Sequence, residues 1–247
     1  MSTICLRIDD IGASSKRFEI YSKRWRGLGN TLFLKYLPGF RAWGPYREMT
    51  ADDWEAVYRI LRHRGAKLTV AVTGAWVERD ATLVPFPEKF PEEAAKLKEG
   101  LQAGLLEIAN HGLTHCVLQD FRFRPKAFGS NRKDHREFWE WLPEATHLDH
   151  LRRSQDILQG YFQDTVTTLV PPGNVFCDAT LRAASRVGIE RVNCNTPGRA
   201  YPGLEIIGND RVFAFHDREL VLFGARWLEE KLIAMPVDAR FVFAREL

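Results

Sequence analysis

The chain has 247 residues, 45% of them hydrophobic and 27% charged, which is ordinary globular usage at a length that buries most apolar surface without disulfide staples. A formal net charge of +3 is too mild to argue for nucleic-acid binding. The four cysteines, Cys5, Cys116, Cys177 and Cys194, include no C-x-x-C pair, which argues against a zinc ribbon or a thioredoxin-type motif.

The opening MSTICLRIDD has no basic stretch followed by a long apolar one, so no secretory signal is visible. No apolar run approaches the roughly 20 residues needed to cross a bilayer. The expectation is a cytoplasmic protein. In chain order, strands are expected over 4–9, 67–73, 105–110, 165–171, 190–195 and 211–216. Each is mostly β-branched or apolar and bounded by Gly, Pro, Asn or Asp. Helices are expected over 51–65, 91–104, 150–162, 178–188 and 223–235. Thr50 and Asp178 are their expected N-caps, and Gly65 and Gly188 their stops. Strand alternating with helix means parallel strands joined by right-handed crossovers. The fold class is therefore α/β, a single barrel-like domain over 1–247 with about six or seven units.

In closed α/β barrels the chemistry gathers where strands end and the next loops begin. Here those ends carry Asp9-Asp10, then Asn110-His111 with His115 a turn later, Val170-Pro171-Pro172-Gly173-Asn174, Asn193-Cys194-Asn195 and His216-Asp217. Taken singly, each has an ordinary reading as a turn former, a cap or a satisfied core residue. Their co-occurrence at one rim points to chemistry. Imidazole nitrogen and carboxylate oxygen bind zinc-like ions at about 2.0–2.2 Å, and two histidines plus one aspartate leave positions open. Such an ion acidifies water and polarises a carbonyl. A second carboxylate can take the proton, and an opposing histidine can protonate the departing amine. Adjacent aspartates can divide these tasks, because consecutive side chains of an extended segment point different ways.

These residues resemble the polysaccharide deacetylase family, also called the NodB-homology or carbohydrate esterase family 4 domain. Arg7-Ile8-Asp9-Asp10 stands where that family has T-F-D-D-G, and His111-Gly112-Leu113-Thr114-His115 where it has H-[ST]-x-x-H. Leu169 to Gly173 matches R-x-P-x-G, and Ala214-Phe215-His216 matches L-x-H. The resemblance implies a distorted, incomplete (β/α)7-type barrel. It implies Asp9 as general base, His216 as general acid, and Asp10, His111 and His115 as ligands of a divalent metal. Zinc is the default ion, and the same donors suit cobalt, nickel or iron. Pro171, Pro172, Gly173 and Asn174 would line the groove, and an N–H near the His loop would steady the oxyanion. Three departures are visible: Gly112 replaces the family's Ser or Thr, Leu169 replaces the arginine that steadies the base, and the family's D-x-x-D-W-type segment is not evident near 193–197. Arg7 and Asn174 are the candidates to take that arginine's place.

The connections 13–50 and 116–149 exceed the usual loop length and are expected to hang over the catalytic face. They carry Lys16, Arg17, Lys23, Arg24 and Arg26, and then Arg122, Arg124, Lys126, Arg132, Lys133 and Arg136 with Trp139 and Trp141. Arginine forks hold phosphates or carboxylates, and flat rings stack on sugars. Arg132 and Trp139 are therefore expected substrate contacts. The substrate read from this is an anionic acetylated sugar, nucleotide- or lipid-linked, with peripheral membrane contact in the lipid-linked case. The leading reading is a metal-dependent N-deacetylase, of the branch resembling bacterial O-antigen biosynthesis proteins. The alternatives are a sugar O-acetyl esterase and a non-catalytic carbohydrate-binding protein on the same scaffold.

Overall fold

The first strand, β1 (Thr3–Ile11), is apolar on both faces, and its Cys5, Leu6, Ile8 and Ile11 are fully buried. A strand of that kind belongs inside a parallel sheet covered on both sides. In the structure, a computed structural model that describes residues 2–20, 34–37, 41, 43, 47–195 and 201–247, β1 takes that central place. The short helix α1 (Ser15–Phe18) follows it, then α2 (Ala51–Arg64). β2 (Leu68–Val72), the hairpin β3 (Ala75–Val77) and β4 (Leu83–Pro85), α3 (Phe86–Lys89), α4 (Pro91–Gln102) and β5 (Leu106–Asn110) come next. The second half holds α5 (Glu144–Phe162), β6 (Thr168–Leu169), α6 (Asp178–Arg186), β7 (Arg191–Asn193) and β8 (Glu205–Ile207). It ends with β9 (Val212–His216), α7 (Asp217–Phe223), α8 (Arg226–Ile233) and β10 (Arg240–Val242).

The main sheet is parallel throughout, in the order β10–β1–β2–β5–β6–β7–β8, with β9 also paired to β1. It is the curled, incomplete (β/α)7-type barrel that the family resemblance implies, built on the parallel strands that the alternation predicts. β10 pairs with Thr3–Cys5 and β9 with Cys5–Asp9; Cys5 pairs with both, so the two late strands lie on opposite edges of the first.

Helix α2 shows why the elements form where they do. Trp54, Val57, Tyr58 and Leu61 are buried, the i, i+3, i+4, i+7 stripe of a core-facing helix. Each such side chain contributes on the order of 1.5–3 kcal/mol by leaving water. Thr50 and Asp53 form a reciprocal capping box, and Gly65 ends the helix at φ 56°, as expected from sequence.

Four boundaries differ from expectation, each for a local reason. The strand expected over 165–171 shortens to Thr168–Leu169, because Pro171 and Pro172 supply no N–H to a ladder. α5 begins at Glu144, just after Pro143 and six residues early. α6 is capped by Cys177 rather than Asp178, which becomes its first residue. The helix expected over 223–235 narrows to α8, Arg226–Ile233, because Gly224 (φ 72°) ends a separate short helix, α7, that was not expected. β3, β4, β8 and β10 have three residues each, too few for a period-2 pattern to register.

Candidate metal centre

Asp9 and Asp10 lie in an irregularity of β1, where the register with β2 shifts between Ile8 and Ile11. Asp10 is left-handed at φ 69°, a conformation aspartate tolerates better than most residues. On a regular strand the two carboxylates would face opposite sides of the sheet. Because of this kink both line one cleft, which corrects the expectation that they point apart.

His111 follows the end of β5, and His115 is held at φ 56°. His111 Nδ1 donates to Val170 O at 2.6 Å. A carbonyl only accepts, so Nδ1 carries the proton and Nε2 presents a lone pair. That lone pair lies 3.1 Å from Asp10 Oδ1, and His115 Nε2 lies 2.9 Å from the same oxygen. The three donor atoms lie within 4.8 Å of one another. Two ligands bound at about 2.1 Å and at right-angle to tetrahedral geometry sit about 3.0–3.4 Å apart, so the spacing fits one shared ion. Imidazole nitrogen facing carboxylate oxygen calls for positive charge there, from a proton or from an ion, and His115 Nδ1 is buried without a hydrogen-bond partner. Asp10, His111 and His115 thus fit a divalent metal. Burial acts to raise the Asp10 pKa, yet the His115 charge and the His111 and His115 contacts hold it well below the usual carboxylate range.

The loop carrying the histidines is clamped from outside. Glu137 is buried and accepts the N–H groups of Leu113 (3.0 Å), Thr114 (3.1 Å) and His115 (2.9 Å). His150 Nδ1 donates to its other face at 2.6 Å. Burial opposes its ionisation, but the His150 bond and charge and these N–H groups keep Glu137 below the ordinary value. A Cβ at position 112 would lie 2.2 Å from Glu137 Oε2, and Gly112 has φ 77°. That explains glycine where the family motif has a hydroxyl residue. Gly112 N donates to Asn110 Oδ1 (2.8 Å) and His111 N to Val72 O (2.9 Å). Every N–H from 111 to 115 is therefore engaged, so the oxyanion donor expected near the His loop is not one of these five.

Asp9 is steadied by Arg7. Nε donates to Oδ1 at 2.8 Å and Nη2 to Oδ2 at 2.9 Å. Arg7 Nη1 is held in turn by the side chains of Asn193 and Asn209. Asn174, the other candidate, accepts instead from Asn195 N at 3.0 Å. His216 stands opposite Asp9 in the β1–β9 register. Its N–H donates to Glu219 Oε2 at 2.9 Å, its Nδ1 lies 3.6 Å from the same oxygen, and its Nε2 lies 4.0 Å from Asp10 Oδ2. Burial acts to lower the His216 pKa; the Glu219 bond and the Asp10 and Asp9 charges outweigh it and raise the value to about 9. Glu219 is drawn down to about 2 against burial by His216 and Arg218.

The cleft encloses about 150 Å³ and is lined by Asp9, Asp10, His111, His115 and His216 together with Pro171, Gly173, Asn174 and Arg132. Both long connections reach it: Glu19 and Trp43 come from the first, and Arg132, His135 and Arg136 from the second. Two expected contacts stand elsewhere. Pro172 is buried beneath, packed toward Gly112, and Trp139 donates its Nε1 to Lys133 O at 2.9 Å. Lys23, Arg24 and Arg26 lie outside the described residues. Glu137 and Trp43 carry no sequence signal that ties them to the site, whereas Glu219 sits at capping-box spacing from His216. All four cysteines are free; burial pushes Cys5 up to about 12, which makes it an inert thiol. No helix among the described residues is long and apolar enough to cross a membrane.

The sequence profile described as polysaccharide deacetylase matches residues 44–192. No curated protein sequence matches. Among solved structures, the chain is similar to a candidate polysaccharide deacetylase from Mycobacterium smegmatis (TM-score 0.54, 13% identity, 100% of this chain and 89% of that one). It is also similar to a mutant, with restored enzymatic activity, of a CE4 family pseudoenzyme from Bacillus anthracis (TM-score 0.51, 12% identity, 100% of this chain and 67% of that one). Against the unmodified pseudoenzyme the chain spans 61% of the other's length. A family 4 carbohydrate esterase from Streptomyces lividans, in complex with acetate, overlaps with TM-score 0.47 at 15% identity, over 94% of this chain and 90% of that one.

Proposed function

We propose that this chain, which belongs to the polysaccharide deacetylase family, removes acetyl from an N-acetylated sugar with the help of a divalent metal. The observation that carries the reading is the meeting of Asp10, His111 and His115 beside an arginine-clamped Asp9. A bound ion would supply Lewis acidity, acidifying water and polarising the acetyl carbonyl. The chain's own residues do the rest. Asp9 receives the proton of the attacking water. Its two oxygens are fixed by the Arg7 fork, which orients it. His216, across the β1–β9 register, is protonated at neutral pH and gives its proton to the departing amine. Glu219 fixes its ring and keeps it charged.

The finer assignment is a zinc-dependent amide hydrolase acting in the cytoplasm on a bacterial surface-polysaccharide (O-antigen) precursor. Its sequence support is the motif resemblance, and the Asp-His-His donor set suits zinc. The non-catalytic alternative drew on Leu169 in place of the family's arginine, and Arg7 answers that loss. The test is acetate release from paired N-acetyl and O-acetyl sugars, with metal and after chelation. Expected are release from the amide, one equivalent of metal per chain, and a fall in kcat of about 10²–10⁴-fold in Asp9→Asn. Saccharide binding without turnover on either substrate, in protein carrying no equimolar metal, would overturn the reading. Turnover of the ester alone would make the protein an O-acetyl esterase.

A further inference from the structure

The segment after the Arg132–His135 turn sends consecutive side chains to opposite sides. Arg136 is extended (φ −136°, ψ 131°), so its neighbour Glu137 faces the other way. Glu137 turns inward and clamps the histidine loop. Arg136 turns to the cleft wall, where its stem crosses Gly173: a Cβ there would lie 2.9 Å from both Arg136 Cγ and Nε. Gly173 is itself left-handed at φ 59°, so backbone and contact together reserve the position for glycine and the space above it for the arginine.

The other charged groups of the cleft are engaged. Arg7 holds Asp9, Asp10 faces the imidazoles, Arg132 stands 3.7 Å from Glu19, and Arg218 bonds Glu219 at 2.7 Å. Arg136 differs: among the described residues its guanidinium meets no carboxylate and no hydrogen-bond acceptor. A half-buried, pre-positioned fork with unused donors at the wall of a reaction cleft suits a planar or multi-oxygen anion. No acid among the described residues supplies one.

We propose that Arg136 binds a negative group on the substrate, so that the cleft selects an acidic N-acetylated sugar, one bearing a carboxylate or a phosphate, over its neutral counterpart. This rests on the deacetylase reading above and adds the substrate class to it. Because Arg136 and Glu137 are adjacent, the anion contact is tied to the loop that carries the imidazoles, which fixes the distance from the anion to the reacting acetyl group.

The test is equilibrium binding to metal-loaded Asp9→Asn protein, which holds substrate without turning it over. The probes are N-acetylglucosamine, its 1-phosphate, its 6-phosphate and N-acetylmuramic acid, so that phosphate and carboxylate are separate arms. The expected result is that at least one acidic probe binds on the order of tenfold or more tighter than the neutral sugar, as a charge-assisted bond supplies. Arg136→Gln should level the two affinities, and Arg136→Lys should restore part of the gap without the fork's geometry. Unfolding midpoints of the variants report whether each is folded. Equal affinity for acidic and neutral probes, or a preference that survives Arg136→Gln, overturns the proposal. Acetate release by the unmodified protein is scored separately, so a failed deacetylase reading stays distinguishable from a failed anion contact.

Discussion

At the scale of single residues, the Arg7–Asp9 pair decides whether Asp9 can act as a base. Arg7 is 1% exposed and the two side chains form a two-pronged bond. Breaking a buried pair from one side strands the other charge and costs about 3–5 kcal/mol. Arg7→Leu should lose that much in denaturant unfolding and abolish acetate release; an unchanged unfolding midpoint would contradict the pairing. Arg7 was legible because residues two apart on a strand share a face, although the sequence alone left Asn174 equally eligible. His216 sets the pH dependence. As an acid it must hold its proton, and with its pKa raised to about 9, kcat/KM should fall as pH rises through that region. A cation at Asp10 offsets that carboxylate's charge and moves the falling limb to lower pH. Glu219→Gln removes the main raising contact, so its limb should also move lower than that of the unmodified protein. A limb that stays in place would show that Glu219 does not tune the acid.

At the scale of elements, the kink in β1 and the clamped loop after β5 build the centre. Asp10 and His115 both have positive φ, so two of the three candidate ligands occupy strained backbone, which persists only where surroundings enforce it. For His115 the enforcing group is Glu137. Glu137→Gln should weaken metal affinity by about 10–100-fold, measured by competition with a coloured chelator. Gly112→Ala, with its forbidden φ and a 2.2 Å collision with Glu137, should do at least as much. Affinity within twofold of the parent in both would refute the clamp. The departure at Gly112 was visible in the sequence, but its cause was not. Glu137 lies 25 residues further along the chain, in an irregular stretch where no periodicity links it to the loop. The kink was hidden for a related reason: the alternation of a strand does not reveal where its register slips.

At the scale of the whole molecule, the alternation of strands and helices was readable and implied parallel strands, while the incomplete barrel came from the motif resemblance. The edge strands were not, because three residues carry no period. Also hidden was a buried charge cluster in which Lys16 bonds Asp217 and, at 3.0 Å, Glu48, with buried Glu93 interacting electrostatically. Burial, opposed by Lys16 and aided by the Asp217 charge, raises Glu48 from an ordinary 4.5 to about 7. A carboxyl with a raised folded-state pKa binds more protons folded than unfolded, so its contribution is largest below about pH 4.5 and is lost as pH rises to about 7. The urea midpoint should therefore fall between pH 5 and pH 7, and Glu48→Gln should flatten that decline; an equal slope in both proteins would rule the group out. The pairing of β1 with late strands has a consequence for biogenesis. Residues 3–9 are made more than 200 residues before the strands that pair with them, β9 on one edge and β10 on the other. Throughout translation that apolar ribbon has an open side, a template for wrong partners. The nascent chain should thus gain its competence to bind an ion only after β9 has been made.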